Sequence, residues 1–214
     1  FIEKPISMEK LLSSTAEVLS QTAKGGDACS HLLQSIPTFI ETIESFETSV
    51  QQKKILVIQS EEGLDRAAWA RAIHSKYLSG DIGFERFGSS QKEAYPGEKN
   101  NNLNTTLYSA EAETIFISDI KNLPNDERAA TSKKLIIRSK NHAAKIFIGV
   151  EDIEEASFLG EQNIILLEVP PLRNALKDIP QMLEETIKFF VERDGYRYRR
   201  FSLASQNMLS KYQW

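Results

Sequence analysis

Cysteine is almost absent from this sequence: Cys29 is the only one in 214 residues. No disulfide framework can form within the chain, and a reducing, cytoplasmic compartment fits. Histidine is nearly as scarce. His31, His74 and His142 are scattered, and only His31 lies near Cys29. Two residues do not make a metal centre, so none is expected, and no serine–histidine–aspartate arrangement emerges either. No apolar run approaches the length of a membrane span, no secretory signal precedes the first helix, and no internal repeat is present. There is no excess of positive charge. Lys plus Arg is 26 and Asp plus Glu is 30, a net charge of −4. That argues against a surface made to coat nucleic acid and leaves room only for a local basic patch. What remains is an ordinary soluble composition, 41% hydrophobic and 26% charged, long enough for one sizeable core with an appendage or for two small domains.

The chain is organised around Lys53 to His74. Ile55 to Ile58 is a short apolar run rich in β-branched residues, the signature of a buried strand. A polar turn follows, Gln59 to Asp65, with Gly63 in it. Leu64, Ala68, Ala72 and Trp69, Ile73, Tyr77 then fall on adjoining helical rows. Strand, tight polar turn, helix is the layout of a phosphate-binding loop.

The flanks follow the same alternation. Phe1 to Pro5 reads as the end of a strand and Ser7 to Ala23 as a helix stopped by Gly25 and Gly26. Asp27 to Glu47 reads as a helix interrupted at Pro37, with Phe39, Ile43 and Phe46 keeping helical spacing after it. Phe84 to Phe87, Thr114 to Ile117, Ala144 to Val150 and Asn163 to Val169 are further strands. Asp126 to Ser139 is helical. Gly88 to Thr106, with Pro96, Gly97 and Asn100 to Asn102, is an exposed loop. Strands alternating with helices imply an α/β fold with a mostly parallel sheet covered on both sides. Pro180 to Arg193 and Ser202 to Tyr212 are helices without strands between them, the second capped by Ser202. Phe1 has no start methionine before it and Trp214 ends an unfinished helix-like stretch. A fragment of a longer protein is expected.

Several phrases occur in order: Ala70-Arg71-Ala72-Ile73-His74; Glu113-Thr114-Ile115-Phe116-Ile117-Ser118-Asp119-Ile120 with Leu123-Pro124; Val169-Pro170-Pro171-Leu172-Arg173 with Asp178-Ile179-Pro180; and Tyr212-Gln213-Trp214. They resemble ARAIH, GGTLFLDEI..LP, LPPLR....DIP and the start of Y-x-W-P-G-N. These are phrases of the central AAA+ domain of NtrC-type response regulators, the sigma-54-dependent activators, and the NtrX-like branch is the nearest in pattern. The resemblance implies a three-part protein: receiver, AAA+ domain, and a C-terminal helix-turn-helix that binds DNA. It implies that residues 1–24 end the receiver, with Lys4 as its signalling lysine. Residues 25–52 would be a linker and the first helix of the central domain, 53–170 its α/β core, and 171–214 the start of a helical lid. A cognate sensor histidine kinase would act through the receiver, and a homodimer is the expected assembly.

The same resemblance marks what has changed. The family's phosphate loop reads G-E-S-G-T-G-K-E, and this chain has Ser60-Glu61-Glu62-Gly63-Leu64-Asp65-Arg66-Ala67. Ser60 and Asp65 replace two of the three glycines whose absent side chains let the backbone approach phosphate. Arg66 keeps the lysine's charge on a larger planar head. A carboxylate about 4 Å from a phosphate charge costs on the order of 4 kcal/mol at an effective dielectric near 20, roughly a thousandfold in affinity. Asp65 is therefore expected to keep nucleotide out, and Glu62 adds to the effect. In the metal-binding phrase L-D-E, Ser118 stands for the Mg²⁺-holding aspartate and Asp119 for the glutamate that activates water. Val150-Glu151 stands where the family has a sensing T-N pair. Glu154 to Gln162 stands where it supplies arginines to a neighbour's phosphate, with Glu155 and Glu161 at the arginine positions. The sigma-54-gripping G-A-F-T-G-A loop should fall within Phe84 to Ala112 and is missing.

These positions lead us to expect a degenerate ATPase: no catalytic residue, no bound metal, no cofactor, no membrane contact, and no sigma-54 remodelling. The alternative is an unorthodox AAA+ ATPase that still takes ATP and Mg²⁺, with Arg66 in the lysine's part. A third reading fills the pocket with the chain's own side chains, for example an Asp119–Arg66 ion pair. Tyr196-Arg197-Tyr198-Arg199-Arg200 is basic and aromatic in the manner of a nucleic-acid contact, although the net charge favours a solvated segment. Arg173 and Asp178 are expected to fix the entry to the lid. Glu184 and Lys188 are expected to form an i,i+4 surface pair.

Overall fold

A computed structural model describes residues 28–52, 54–78, 83–87, 113–118, 120–122, 125–141 and 144–214. The expected N-terminal strand and helix, Lys4, the Gly88 to Thr106 loop, Asp119 and the Leu123-Pro124 pair lie outside them.

Five parallel strands form one sheet: β1 (Ile55–Gln59), β2 (Phe84–Phe87), β3 (Thr114–Ile117), β4 (Lys145–Val150) and β5 (Ile164–Glu168), in the order β2-β3-β4-β1-β5. All were expected within two residues of where they stand. β1 is an interior strand, with Val57 in register with Ile148 on one side and with Leu166 on the other. Its apolar run is unbroken because both faces are covered. Leu56 and Ile58 enter one core, Ile55 and Val57 the other.

On the first face lie α1 (Ala28–Ser35), α2 (Pro37–Ser45), α3 (Glu47–Gln51) and α4 (Arg66–Tyr77). Pro37 divides α1 from α2 by taking the first helical position of α2, where a missing N–H costs nothing. In α4 the small residues Ala67, Ala68, Ala70 and Ala72 bring the helix close to the sheet. Trp69 fills the space towards α2, its ring 5.6 Å from that of Phe39 and edge-on to it. The second face is covered by α5 (Asn125–Asn141), through Leu135, and by the 3₁₀ segment Ile153–Leu159, through Ala156 and Leu159.

After β5 the chain turns through Leu172–Asp178 into α6 (Ile179–Asp194). Ile179 and Met182 of α6 join the first core. Asp178 accepts a hydrogen bond from the Thr38 hydroxyl of α2, and His31 of α1 lies 3.2 Å from Glu185 of α6. Gly195, in the left-handed region at φ 67°, ends α6. The next residues run without helix or strand to α7 (Leu203–Ser210). The Ser202 hydroxyl accepts from Ser205 N at 3.1 Å and caps α7 as expected.

One expected pair does not form. Lys188 donates to Glu185 at 2.8 Å, three residues back, and not to Glu184. Glu184 is drawn off by Tyr198, whose hydroxyl donates to it at 2.6 Å from beyond the helix. Glu185 gathers Lys188 and His31 together, and the hydrogen bond from Lys188 is the larger cause holding its carboxyl below the ordinary range.

Candidate functional site

β1 delivers the loop of residues 60–65 to the carboxyl end of the sheet, the usual place for a ligand crevice in α/β folds. Ser60 is buried, and its N–H donates to Val150 O at 3.2 Å, anchoring the loop to the end of β4. Gly63 turns the chain at φ 90°, a conformation that side-chain-bearing residues rarely take. Asp65 then adopts an extended backbone and caps α4. Its Oδ1 accepts from Ala67 N at 2.9 Å and from Ala68 N at 3.1 Å. These are the orphan donors that a helix N-terminus offers to an anion. Here the anion is a side chain of the loop itself.

Arg66, the first residue of α4, turns back across the loop. Its Nη1 donates to Ser60 O at 3.1 Å and to Ser60 Oγ at 3.2 Å. Its Nη2 lies 3.5 Å from Glu151 Oε1, just past the end of β4. Arg66 packs so closely on β4 that a Cβ on Gly149 would stand 3.3 Å from its Cβ and Cδ, and 3.0 Å from Phe116 Cζ. The Asp119–Arg66 pair considered above involves a residue outside the described ones. Within them, Glu151 is the carboxylate that meets Arg66. Glu151 also takes Lys121 Nζ at 3.1 Å. That hydrogen bond holds the Glu151 carboxyl below its ordinary range and raises the Lys121 ammonium.

A second pair ties the loop to the segment leading into α6. Arg173 Nη1 and Nη2 meet Glu61 Oε2 and Oε1 at 2.7 and 2.6 Å, a bidentate fork. Hydrogen bonding to Arg173 lowers the Glu61 carboxyl and, reciprocally, raises the guanidinium. Arg173 thus ties the segment entering α6 to the loop that follows β1.

The remaining expected positions make local contacts of their own. The Ser118 hydroxyl donates to Phe87 O at 3.3 Å, at the far pair of strands. Glu155 serves a reciprocal capping box: Asp152 N donates to its carboxylate at 3.4 Å, while Asp152 accepts from Glu154 N at 2.9 Å. Glu161 is exposed at the start of the short turn Glu161–Asn163. Among the described residues no three His, Cys, Asp or Glu side chains gather as metal ligands, and no helix is long and apolar enough to cross a membrane. Sequence reasoning missed the parts of Glu61 and Glu151. Their partners lie 112 and 85 positions away, where no local spacing rule reaches.

No protein-family model matches the chain. A putative NtrX-like response regulator of Rickettsia typhi is 24% identical over the whole of this chain and 53% of its own length. The chain therefore spans about half the length of that relative. Among solved structures, NtrX from Brucella abortus in complex with ADP superposes over the whole of this chain and 56% of its own, with a TM-score of 0.64 at 15% identity. The same protein in complex with ATP covers 57% of its own length, with a TM-score of 0.57 at 15% identity. Along its whole length this chain is similar to NtrX-like response regulators, and its fold is the AAA+ α/β fold that NtrX takes.

Proposed function

We propose that this chain is the central domain of a transcription-controlling two-component response regulator, and that it works without nucleotide. The observation that carries the reading is the Asp65 carboxylate on Ala67 N and Ala68 N, the donors a phosphate would need. The loop's cation is engaged as well, with Arg66 bound to Ser60 and facing Glu151. An incoming triphosphate must displace a carboxylate from its cap and then lie beside it. The repulsion is on the order of 4 kcal/mol at an effective dielectric near 20, which moves a micromolar site to millimolar. With Ser118, Glu155 and Glu161 at the hydrolytic positions, the domain neither turns over ATP nor remodels a sigma-54 factor. It passes phosphorylation of a receiver, received from a sensor kinase, to a DNA-binding helix-turn-helix by changing self-association as a dimer. Under this reading the rest of the receiver and the helix-turn-helix lie outside this chain, which spans 53% of its relative's length.

Titration of a fluorescent ATP analogue with Mg²⁺, followed by a phosphate-release assay, tests the reading. Expected is no saturable binding up to about 100 μM, a tenth of a millimolar Kd, and no release above the no-protein control. Micromolar binding or steady release overturns it.

A second reading has its own support. The Brucella protein of the same fold holds ADP and ATP, and Arg66 retains a cation where a loop lysine would stand. Arg66→Ala separates the two. A binder loses its affinity with this change, whereas a nucleotide-free domain has none to lose.

A further inference from the structure

Charge is unevenly divided along the chain. Residues 193–214 hold five Arg and Lys and one acid, while the other 192 residues hold 21 and 29. The terminal segment is therefore +4 and the remainder −8. The net charge of the whole conceals a compact basic arm.

The arm is exposed and braced. Every residue from Glu192 to Ala204 is exposed. Gly195 ends α6 in the left-handed region, and the chain then runs without helix or strand to Ser202. Tyr198 donates to Glu184 of α6 at 2.6 Å, and the Arg200 guanidinium sits 5.9 Å from the Tyr198 ring. Arg193 is held by Asp194 at 2.7 Å and lies over the rings of Phe189 and Phe190. Arg197 and Arg199 alternate with these anchored residues. Neither makes a hydrogen bond or ion pair among the described residues. Tyr196, beside them, is 63% exposed with its hydroxyl free to donate.

We propose that this arm binds the phosphate backbone of duplex DNA, with Arg197 and Arg199 as the contacting cations and Tyr196 beside them. Backbone contact by arginine and tyrosine positions a protein on DNA without reading sequence. The remaining residues carry a net charge of −8 and on balance repel the duplex, so the arm favours one side of the domain facing it. The inference is independent of whether the phosphate loop takes nucleotide.

The test uses the 214-residue chain and a fluorescent 30-base-pair duplex of arbitrary sequence, read by anisotropy from 50 to 200 mM salt. Binding is expected to weaken with salt. Arg197→Ala/Arg199→Ala is expected to lower the log–log slope by about 1.8, since each phosphate contact contributes about 0.9. Over that fourfold range of salt the variant should lose about twelvefold less affinity than the parent. Both side chains are exposed, so the melting temperature should be unchanged and is measured alongside. No binding at 50 mM salt overturns the proposal, as does an unaltered slope in the double variant. Equal competition by polyglutamate against polyphosphate also overturns it, since that would make the arm a site for acidic protein.

Discussion

Replacing Asp65 separates the helix cap that the structure shows from the proposed exclusion of nucleotide. Asp65→Ala removes the acceptor of two backbone N–H groups, at 2.9 and 3.1 Å. Loss of such a cap costs about 1 kcal/mol, and loss of a negative charge at the helix N-terminus a further ~0.3–1 kcal/mol. In a chain of this size each kcal/mol lowers Tm by roughly 2–4 °C. A fall of about 3–8 °C in a thermal melt is expected. Asp65→Gly restores the glycine of the NtrC-type loop, and glycine is a tolerable cap, a few tenths of a kcal/mol worse than aspartate. With the same loss of charge at the helix N-terminus, that variant should melt about 1–5 °C below the parent. It also lifts the repulsion of about 4 kcal/mol, so ATP affinity should rise by up to a thousandfold, measured by titration of the same fluorescent analogue. An unchanged melt for Asp65→Ala would refute the cap. An ATP affinity unmoved in Asp65→Gly would refute the claim that this carboxylate is what excludes nucleotide, and would shift the block to Arg66 and Ser60.

Other perturbations read other parts of the frame. The Glu61 carboxyl is lowered from 4.5 by Arg173, so its contribution is present above that value and is lost as pH falls through the lower folded one. Acid melts below pH 4.5 should therefore be shallower for Arg173→Ala than for the parent, and equal slopes would remove the clamp. Gly149→Ala forces Phe116 and Arg66 aside, with 3.0 and 3.3 Å available. Overpacking of this kind costs about 1–3 kcal/mol, to be read from denaturant midpoints. Gly63→Ala meets no neighbour within 4 Å but must hold φ at 90°, a left-handed strain of about 1–2 kcal/mol. Trp69, buried between α4 and α2, should cost about 3–5 kcal/mol as Ala.

The layers follow from local pattern. Apolar runs of four to six residues between helical periods have one stable arrangement, a parallel sheet covered on both faces. Hence Thr114–Ile117 stands where the pattern put it. Pro37 and Ser202 marked helix starts because a ring without an N–H and a hydroxyl acceptor act locally. The polar pairings were decided by the tertiary structure alone. Glu151 meets Arg66 and Lys121 because β4 lies beside β1 in the sheet. Glu61 meets Arg173 because the chain after β5 returns over the loop that follows β1. Glu184 goes to Tyr198, and not to Lys188, because the segment beyond α6 folds back within reach. Periodicity fixes which face of an element is apolar. Which carboxylate an exposed cation reaches depends on where distant segments end, and that is set only when the whole chain has packed.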